Sequence, residues 1–364
     1  MAISTRVGEI VRIGDISSRG FPTTATLKKP DGSVATLQPT PHRSDLVEME
    51  FTCTHEGTHE LSYRHTTSGV EFDDSLLNIE VYRPWSLTQK FGEYGSGVGQ
   101  LWDPWGVTVN AKGDCMVTDS RNNRIVIFDA EGRSKNVWRF DNLEKDFFPR
   151  QVAIAANKLH FITDGSRWLG VGNNHVVVCD ENGRFIRSFG QQQLQNPCGI
   201  AVDSDKGIAY VVDNCDHRVQ LFNIFNGGHI KHFSSKGNEK GKLDSPRYIA
   251  LNNKGQVLIT DCNNHRIQVF TADGEFLFTF GDQNESIGGL NYPEGIAVDT
   301  DGNVYVCDCS NDRVVKFDDR GRFICRIDSS QDDLRQPAGI DVTMEVLPKA
   351  VVVDYGNDCV KVYQ

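Results

Sequence analysis

The 364-residue sequence contains no run close to the roughly 18 uninterrupted apolar residues that a membrane helix needs, and its N-terminus has no apolar secretory stretch. The expectation is a soluble, cytoplasmic protein that does not act at a membrane. Also missing is any Cys-x-x-Cys pair or matching histidine pair of the kind that holds zinc. The ten cysteines, at 53, 115, 179, 198, 215, 262, 307, 309, 325 and 359, are scattered, several within apolar runs such as HVVVC and VYVCD. A thiol in that setting packs as a small hydrophobe, so reduced cysteines are expected rather than a disulfide scaffold. Basic excess is lacking too: 38 Lys and Arg stand against 49 Asp and Glu, a net charge of −11. Residues 1–82 carry −5 of this and the remainder −6. Indiscriminate nucleic-acid binding runs on phosphate neutralisation. The net charge counts against it, no DNA partner is expected, and any nucleic-acid site must be a local patch.

What the sequence does contain is a repeat. From about residue 101 onward a unit recurs that opens on Pro and an alternating apolar strand: DPWGVTV, FPRQVAI, NPCGIAV, SPRYIAL, YPEGIAV and QPAGIDV. The prolines are Pro104, Pro149, Pro197, Pro246, Pro293 and Pro337, spaced 45, 48, 49, 47 and 44 residues apart. A second strand in each unit ends on aspartate, at Asp119, Asp164, Asp213, Asp261, Asp308 and Asp354. In four units an arginine follows five positions on, before a third apolar strand, as in DSRNNRIVIF; a fourth strand follows a Gly turn, as in GRFIRSFG. Four short strands of period two in about 47 residues make a propeller blade rather than a helical solenoid. The sixth unit stops at DCVKVYQ after its third strand, while SLTQKFG, residues 86–92, reads as an unattached fourth strand ahead of the first unit. Joining the two closes a six-bladed ring over residues 83–364 and removes its exposed edge. Recurrence in blade after blade gives the aspartates and arginines a structural role, the Asp capping turn donors and the Arg pairing with a carboxylate or carbonyl.

Residues 1–82 alternate strand patterns with Gly, Pro and Asp turns: EIVRIG, TATLKK, SVATLQP, DLVEMEFTCT, HELSYRHT and LLNIEVY. That pattern predicts an all-β sandwich. The run HEGTHELSYRHTTSGVEFDDSLLNIEV resembles the end of a filamin-type immunoglobulin-like repeat, and the brief link YRPWS predicts a semi-fixed join to the propeller. The Pro-x-Gly strand, the strand ending in Asp and the Asn-x-Arg turn resemble NHL repeats. A filamin-type domain followed by six of them resembles the C-terminal half of TRIM-NHL proteins, of the Lin-forty-one type of heterochronic repressor. The resemblance implies binding of mRNA hairpins by the propeller and translational repression or decay of the bound message, with protein effectors of silencing as further partners. The RING, B-box and coiled coil of that family have no counterpart here, and a Met1 running straight into the sandwich reads as a fragment.

Strand one starts just after Pro and strand two, antiparallel to it, ends at Asp, so the residues after each motif ring one mouth of the channel. Loops on a rigid scaffold are where binding residues usually sit. Two blades depart from the Pro-x-Gly pattern: Arg150 and Gln151 follow Pro149, and Arg247 and Tyr248 follow Pro246. Arginine grips phosphate or stacks on a base, and aromatic rings offer stacking faces. Blade two also carries an insertion after Asp164 that presents Arg167 and Trp168. The predicted RNA-binding set is Trp105, Arg121, Arg150, Gln151, Arg167, Trp168, Arg247, Tyr248, Asn263 and Tyr355, on blades one, two and four with Tyr355 from blade six, and the RNA is expected to favour blades one to four. Glu294 on blade five is expected to repel phosphate. The competing reading has Trp105 and Tyr248 plugging the mouth and the arginines paired with carboxylates.

A protein-binding propeller, presenting a partner or a ubiquitination substrate, is the alternative function; its mark would be an apolar mouth. An enzyme would need His, Asp, Asn or Glu side chains converging on a channel metal, whereas His175, His217 and His265 fall in separate blades on the outer turns. No cofactor, metal or catalytic residue is therefore expected.

Overall fold

A computed structural model describes residues 85–140, 143, 147–168, 171–285, 288–345 and 347–364, and within the first 84 residues little beyond the strand backbone. The chain divides into two compact units, Met1–Trp85 and Ser86–Gln364. Both are built of β-strands, with short 3-10 turns between strands of the second, and no helix among the described residues is long and apolar enough to cross a membrane.

In the first unit the backbone forms a five-stranded sheet in the order Ala2–Arg6, Val70–Tyr82, Gly57–Thr67, Pro22–Lys28 and Val34–Leu37. A three-stranded sheet has the order Ile10–Ile13, Leu46–Thr52 and Thr40–Arg43. Ala2–Arg6, which carries no strand assignment in the sequence reading, pairs in parallel with Val70–Tyr82, Ala2 opposite Asn78.

The second unit is a six-bladed propeller. Each blade is a four-stranded antiparallel sheet with its strands in chain order, beginning with Pro104–Val109, Cys115–Asp119, Arg124–Phe128 and Ser134–Trp138 in blade one. The sixth blade takes Pro337–Val342, Ala350–Asp354 and Cys359–Tyr363, and its fourth strand is Leu87–Phe91 from the start of the unit. Val360 lies opposite Phe91, and the pairing continues through reciprocal Ser86 and Gln364 backbone bonds of 3.1 and 3.0 Å. First strands of successive blades lie side by side in a closed ring, blade six beside blade one.

The core lies in the wedges between blades, because every sheet is apolar on both faces there. At the seam between blades six and one, Phe91, Val351, Val353, Val360 and Val362 pack against Leu101, Val107, Val117 and Val126. A phenylalanine ending a fourth strand meets one on the next blade at four seams: Phe91 with Phe128, Phe189 with Phe222, Phe233 with Phe270 and Phe280 with Phe317, at 4.8 to 5.2 Å. Rings of this size dominate the area removed from water.

All six recurrent aspartates are fully buried, but each caps a donor outside its own turn. Each accepts a backbone N–H from the connector that leads into its blade: Asp119 from Trp102, Asp164 from Phe148, Asp213 from Asn196, Asp261 from Asp244, Asp308 from Asn291 and Asp354 from Arg335. Arg124, Arg266 and Arg313 pair with their own aspartates at 2.6, 2.8 and 2.6 Å and spend their remaining donors on connector carbonyls. Arg218 turns to Asp216 instead.

Candidate nucleic-acid interface

The register fixes which loops share the face of interest. Pro104 lies opposite Asp119, and Asp119 opposite Arg124, so strand one starts, strand two ends and strand three starts at one end of the blade. The fourth strand, antiparallel to the third, ends there too, which adds the long fourth-to-first connectors to the face.

Each Gly of the Pro-x-Gly motif sits where the next blade's first strand comes closest. A Cβ on Gly106 would lie 2.4 Å from the Arg150 carbonyl, and one on Gly339 would lie 2.6 Å from that of Trp105. Blades two and four carry side chains at this position, Gln151 and Tyr248. Tyr248 spans the channel. From blade four its hydroxyl donates to the Trp105 carbonyl of blade one, three blades away, at 2.8 Å, and the residue is 2% exposed. Burial pushes its phenol well above the ordinary range. Gln151 Nε2 reaches the Val107 carbonyl at 3.4 Å.

Above this bolt lies a layer of aromatic and charged groups. The Arg150 guanidinium sits over the Trp105 ring at 4.4 Å and the Phe148 ring at 4.8 Å, and that of Arg247 lies 5.8 Å from the Trp105 ring. Tyr355 packs edge-on against Trp105 at 5.5 Å. Arg247 Nε faces Glu294 Oε1 across the next seam at 3.6 Å. The Glu294 charge holds Arg247 in its protonated form against desolvation, while burial raises the Glu294 carboxyl above its ordinary range.

Two expected contacts are corrected by this geometry. Tyr248 cannot stack on a base, because its ring is enclosed by the channel wall. Arg150, 8% exposed and flanked by two rings, forms part of the floor rather than a phosphate grip. Glu294, expected to repel phosphate, instead faces Arg247 and compensates its charge. Half-exposed groups remain at the surface: Trp105, Gln151, Tyr355, Arg247 and Arg121, the last bonded to Asp103 at 2.7 Å and lying over the Trp102 ring at 5.2 Å. Asn263 is exposed and bonds Asp244 and Ser245. Asn214 and Cys262, each one place after its aspartate, are buried. The insertion of blade two lengthens its second and third strands, His160–Trp168 and Val171–Cys179, into a hairpin; the side chains of Arg167 and Trp168 lie outside the described residues.

The sequence reading missed the connectors. Trp102, two residues before Pro104, packs edge-on with Tyr94 at 5.8 Å, and Tyr292, just before Pro293, packs on His265 at 4.4 Å. Their signal was available in the aromatic residues immediately upstream of the repeat prolines. His217 and His265 take part in joining blades: each Nδ1 accepts a backbone N–H from the next connector, Ser245 at 2.9 Å and Tyr292 at 3.1 Å. Among the described residues no three His, Cys, Asp or Glu side chains gather as metal ligands do. Every cysteine among them is a free thiol, and burial pushes Cys115 and Cys179 up to about 12.

Fold and face together define a closed six-bladed propeller with a bolted channel and an aromatic and charged surface over it. Comparison with known proteins gives the type of blade: the NHL repeat model matches residues 101–128, 194–222, 243–270 and 290–317, which are blades one, three, four and five. Blades two and six fall outside those matches, and they are the two without arginine five places after the aspartate. The chain is similar to Protein brain tumor of Drosophila melanogaster, 34% identical over 176 residues, 45% of this chain and 16% of that protein. It is also similar to Protein lin-41 of Caenorhabditis elegans, 32% identical over 109 residues, 28% of this chain and 10% of that one. E3 ubiquitin-protein ligase TRIM32 of Homo sapiens is 28% identical over 189 residues, 47% of this chain and 27% of that protein. The matched segments thus span less than a third of each relative. Among solved structures, a protein of unknown function from Bacteroides thetaiotaomicron aligns over 100% of this chain and 96% of its own, with a TM-score of 0.66 and 13% identity. Virginiamycin B lyase from Staphylococcus aureus aligns over 77% of this chain and 99% of its own, at 0.55 and 14%. At such identities the likeness is one of fold alone.

Proposed function

We propose that this chain is the RNA-binding part of a cytoplasmic, TRIM-NHL-type post-transcriptional regulator of the Lin-forty-one kind. In this reading the propeller holds mRNA stem-loops on its Pro/Asp face and represses the bound message with protein effectors, without catalysing a reaction. Residues 1–82 serve as a filamin-type immunoglobulin-like domain. Kinship with Protein brain tumor and Protein lin-41 supports the class. The observation that carries the chemistry is the half-exposed set Trp105, Arg121, Arg247 and Tyr355, lying over a floor closed by Tyr248. Half-exposed guanidiniums beside ring faces suit phosphates and splayed bases together. Even Arg150, below the surface, adds positive potential at the mouth.

The second reading, a protein-binding propeller that presents a ubiquitination substrate, draws on the similarity to TRIM32. It also draws on acidic connectors of blades five and six, where Asp282, Glu285 and Asp333 are exposed. Fluorescence anisotropy with a hairpin RNA at two salt concentrations separates the two. RNA binding predicts salt-dependent affinity that Arg247→Glu abolishes in a protein of unchanged melting, while Arg335→Glu matters little. Equal binding by wild type and Arg247→Glu, or none by either, rejects the RNA reading.

A further inference from the structure

Two connectors of the propeller are built alike at a constant offset of 142 residues, and they stand on opposite sides of the ring, at blades one and four. In the first, Gly95 N donates to Leu101 O and Leu101 N to Glu93 O; in the second, Gly237 N donates to Leu243 O and Leu243 N to Ser235 O. Asn122 and Asn264 hold the carbonyls of Gly95 and Gly237 at 2.8 and 2.9 Å, and Arg124 and Arg266 clasp those of Gln100 and Lys242. One backbone device thus displays two sets of side chains at matched positions.

The contents differ systematically. Where blade one has Tyr94, Val98, Gln100 and Trp105, blade four has Lys236, Lys240, Lys242 and Arg247. Tyr94 is 63% and Val98 88% exposed, and the three lysines are exposed. Tyr94 stands edge-on to Trp102, whose ring also carries the Arg121 guanidinium, a composite of ring faces and a planar cation. Glu93 and Asp103 flank this crest, so it suits an uncharged base rather than a phosphate. The opposite connector has no aromatic ring and three lysines, which outnumber its two acidic residues, Glu239 and Asp244, so it keeps a net positive charge that suits phosphate.

We infer that the single-stranded segments on the two sides of the bound stem-loop reach these crests, one with its phosphates against Lys236 and Lys240 and the other with an unstacked base on Tyr94 and Trp102. This rests on the RNA reading above and adds a footprint beyond the channel mouth. Base stacking on an exposed ring and phosphate pairing with lysine are separable: the first tolerates salt, the second does not.

The test compares a bare hairpin with the same hairpin carrying six unpaired nucleotides on each side, using the full chain and anisotropy across a salt series. Wild type should bind the flanked RNA about ten-fold more tightly, as one stacked base and a few phosphate contacts provide. Tyr94→Ala should remove most of that gain and Tyr94→Phe should keep it. Lys236→Glu with Lys240→Glu should lower the salt slope for the flanked RNA by about 1.4, two single-strand phosphate contacts. All should bind the bare hairpin like wild type, and Lys112→Glu, on the opposite face, should change nothing. Equal wild-type affinity for the two RNAs, or variants that bind the flanked RNA as wild type does, overturns the inference while leaving the RNA reading standing. Failure of wild type to bind the bare hairpin removes that reading instead, and the inference with it.

Discussion

Replacing Asp119 by alanine tests whether the repeat motif is structural or part of the binding site. The carboxylate accepts Trp102 N–H at 2.7 Å, Asn122 Nδ2 at 2.8 Å and Arg124 Nε at 2.6 Å, and both Asp119 and Arg124 are buried. Removing it leaves a buried guanidinium without its counter-charge, at a cost of about 3 to 5 kcal/mol, and orphans an amide whose desolvation is worth about 1 to 3 kcal/mol. Arg124 keeps its bonds to the carbonyls of Ser96, Gly97 and Gln100, so the lower part of the range, about 4 kcal/mol in total, is expected. Asp119→Ala with Arg124→Met removes the stranded charge and should recover about 2 kcal/mol, a coupling that only partners in contact show. Equilibrium urea unfolding followed by tryptophan fluorescence measures both. A loss below about 1 kcal/mol, or unchanged stability together with lost RNA binding, refutes the structural assignment and returns the motif to the interface.

Tyr248→Phe should cost about 1 kcal/mol by deleting the hydrogen bond to Trp105 O, whereas Tyr248→Ala should cost about 3 to 5 kcal/mol as a core truncation; equal small losses in thermal melts would show that the ring does not bolt the channel. Phe91→Ala should also cost about 3 to 5 kcal/mol, because this ring packs at the seam where the first strand of the unit completes the last blade; near-wild-type melting would deny that closure stabilises the ring. Burial raises Asp341 to about 6, against backbone bonds from Val109 and Val342 that lower it. A carboxyl raised on folding holds its proton more tightly in the native state, so this group adds stability as pH falls from about 6 toward about 4. Wild type should therefore gain about 1 to 3 kcal/mol relative to Asp341→Ala between pH 7 and pH 4, the lower value reflecting water in a half-exposed setting; a pH-independent difference contradicts it.

The blade was legible because its punctuation is chemical. Proline can open an edge strand that donates no ladder bond, aspartate must end the second strand to accept a connector amide, and both recur with the period of the fold. The count of six followed from an unpaired strand at each end of the repeat. Tyr248 was not legible as a bolt, since its partner carbonyl lies 143 residues away and a ring beside a channel reads equally as a stacking surface. The Arg247 and Glu294 pair was closer to reach: they occupy the same position of adjacent blades, 47 residues apart, where opposite charges meet across the seam. Tyr94, Trp102 and the lysine crest escaped because connectors carry no strand period; their symmetry shows only once the offset of 142 residues is aligned on shared backbone bonds.

Photo-crosslinking of a 4-thiouridine-substituted hairpin with unpaired flanks to the intact chain, with the attached peptides mapped by mass spectrometry, tests the central claim most directly. The account predicts crosslinks on the Pro/Asp face, in the segments 94–105, 121–124, 236–247 and 355–358, that fade as salt is raised. Crosslinks confined to the opposite face, around Lys112, Lys158 and Lys254, or to residues 1–82, would contradict it.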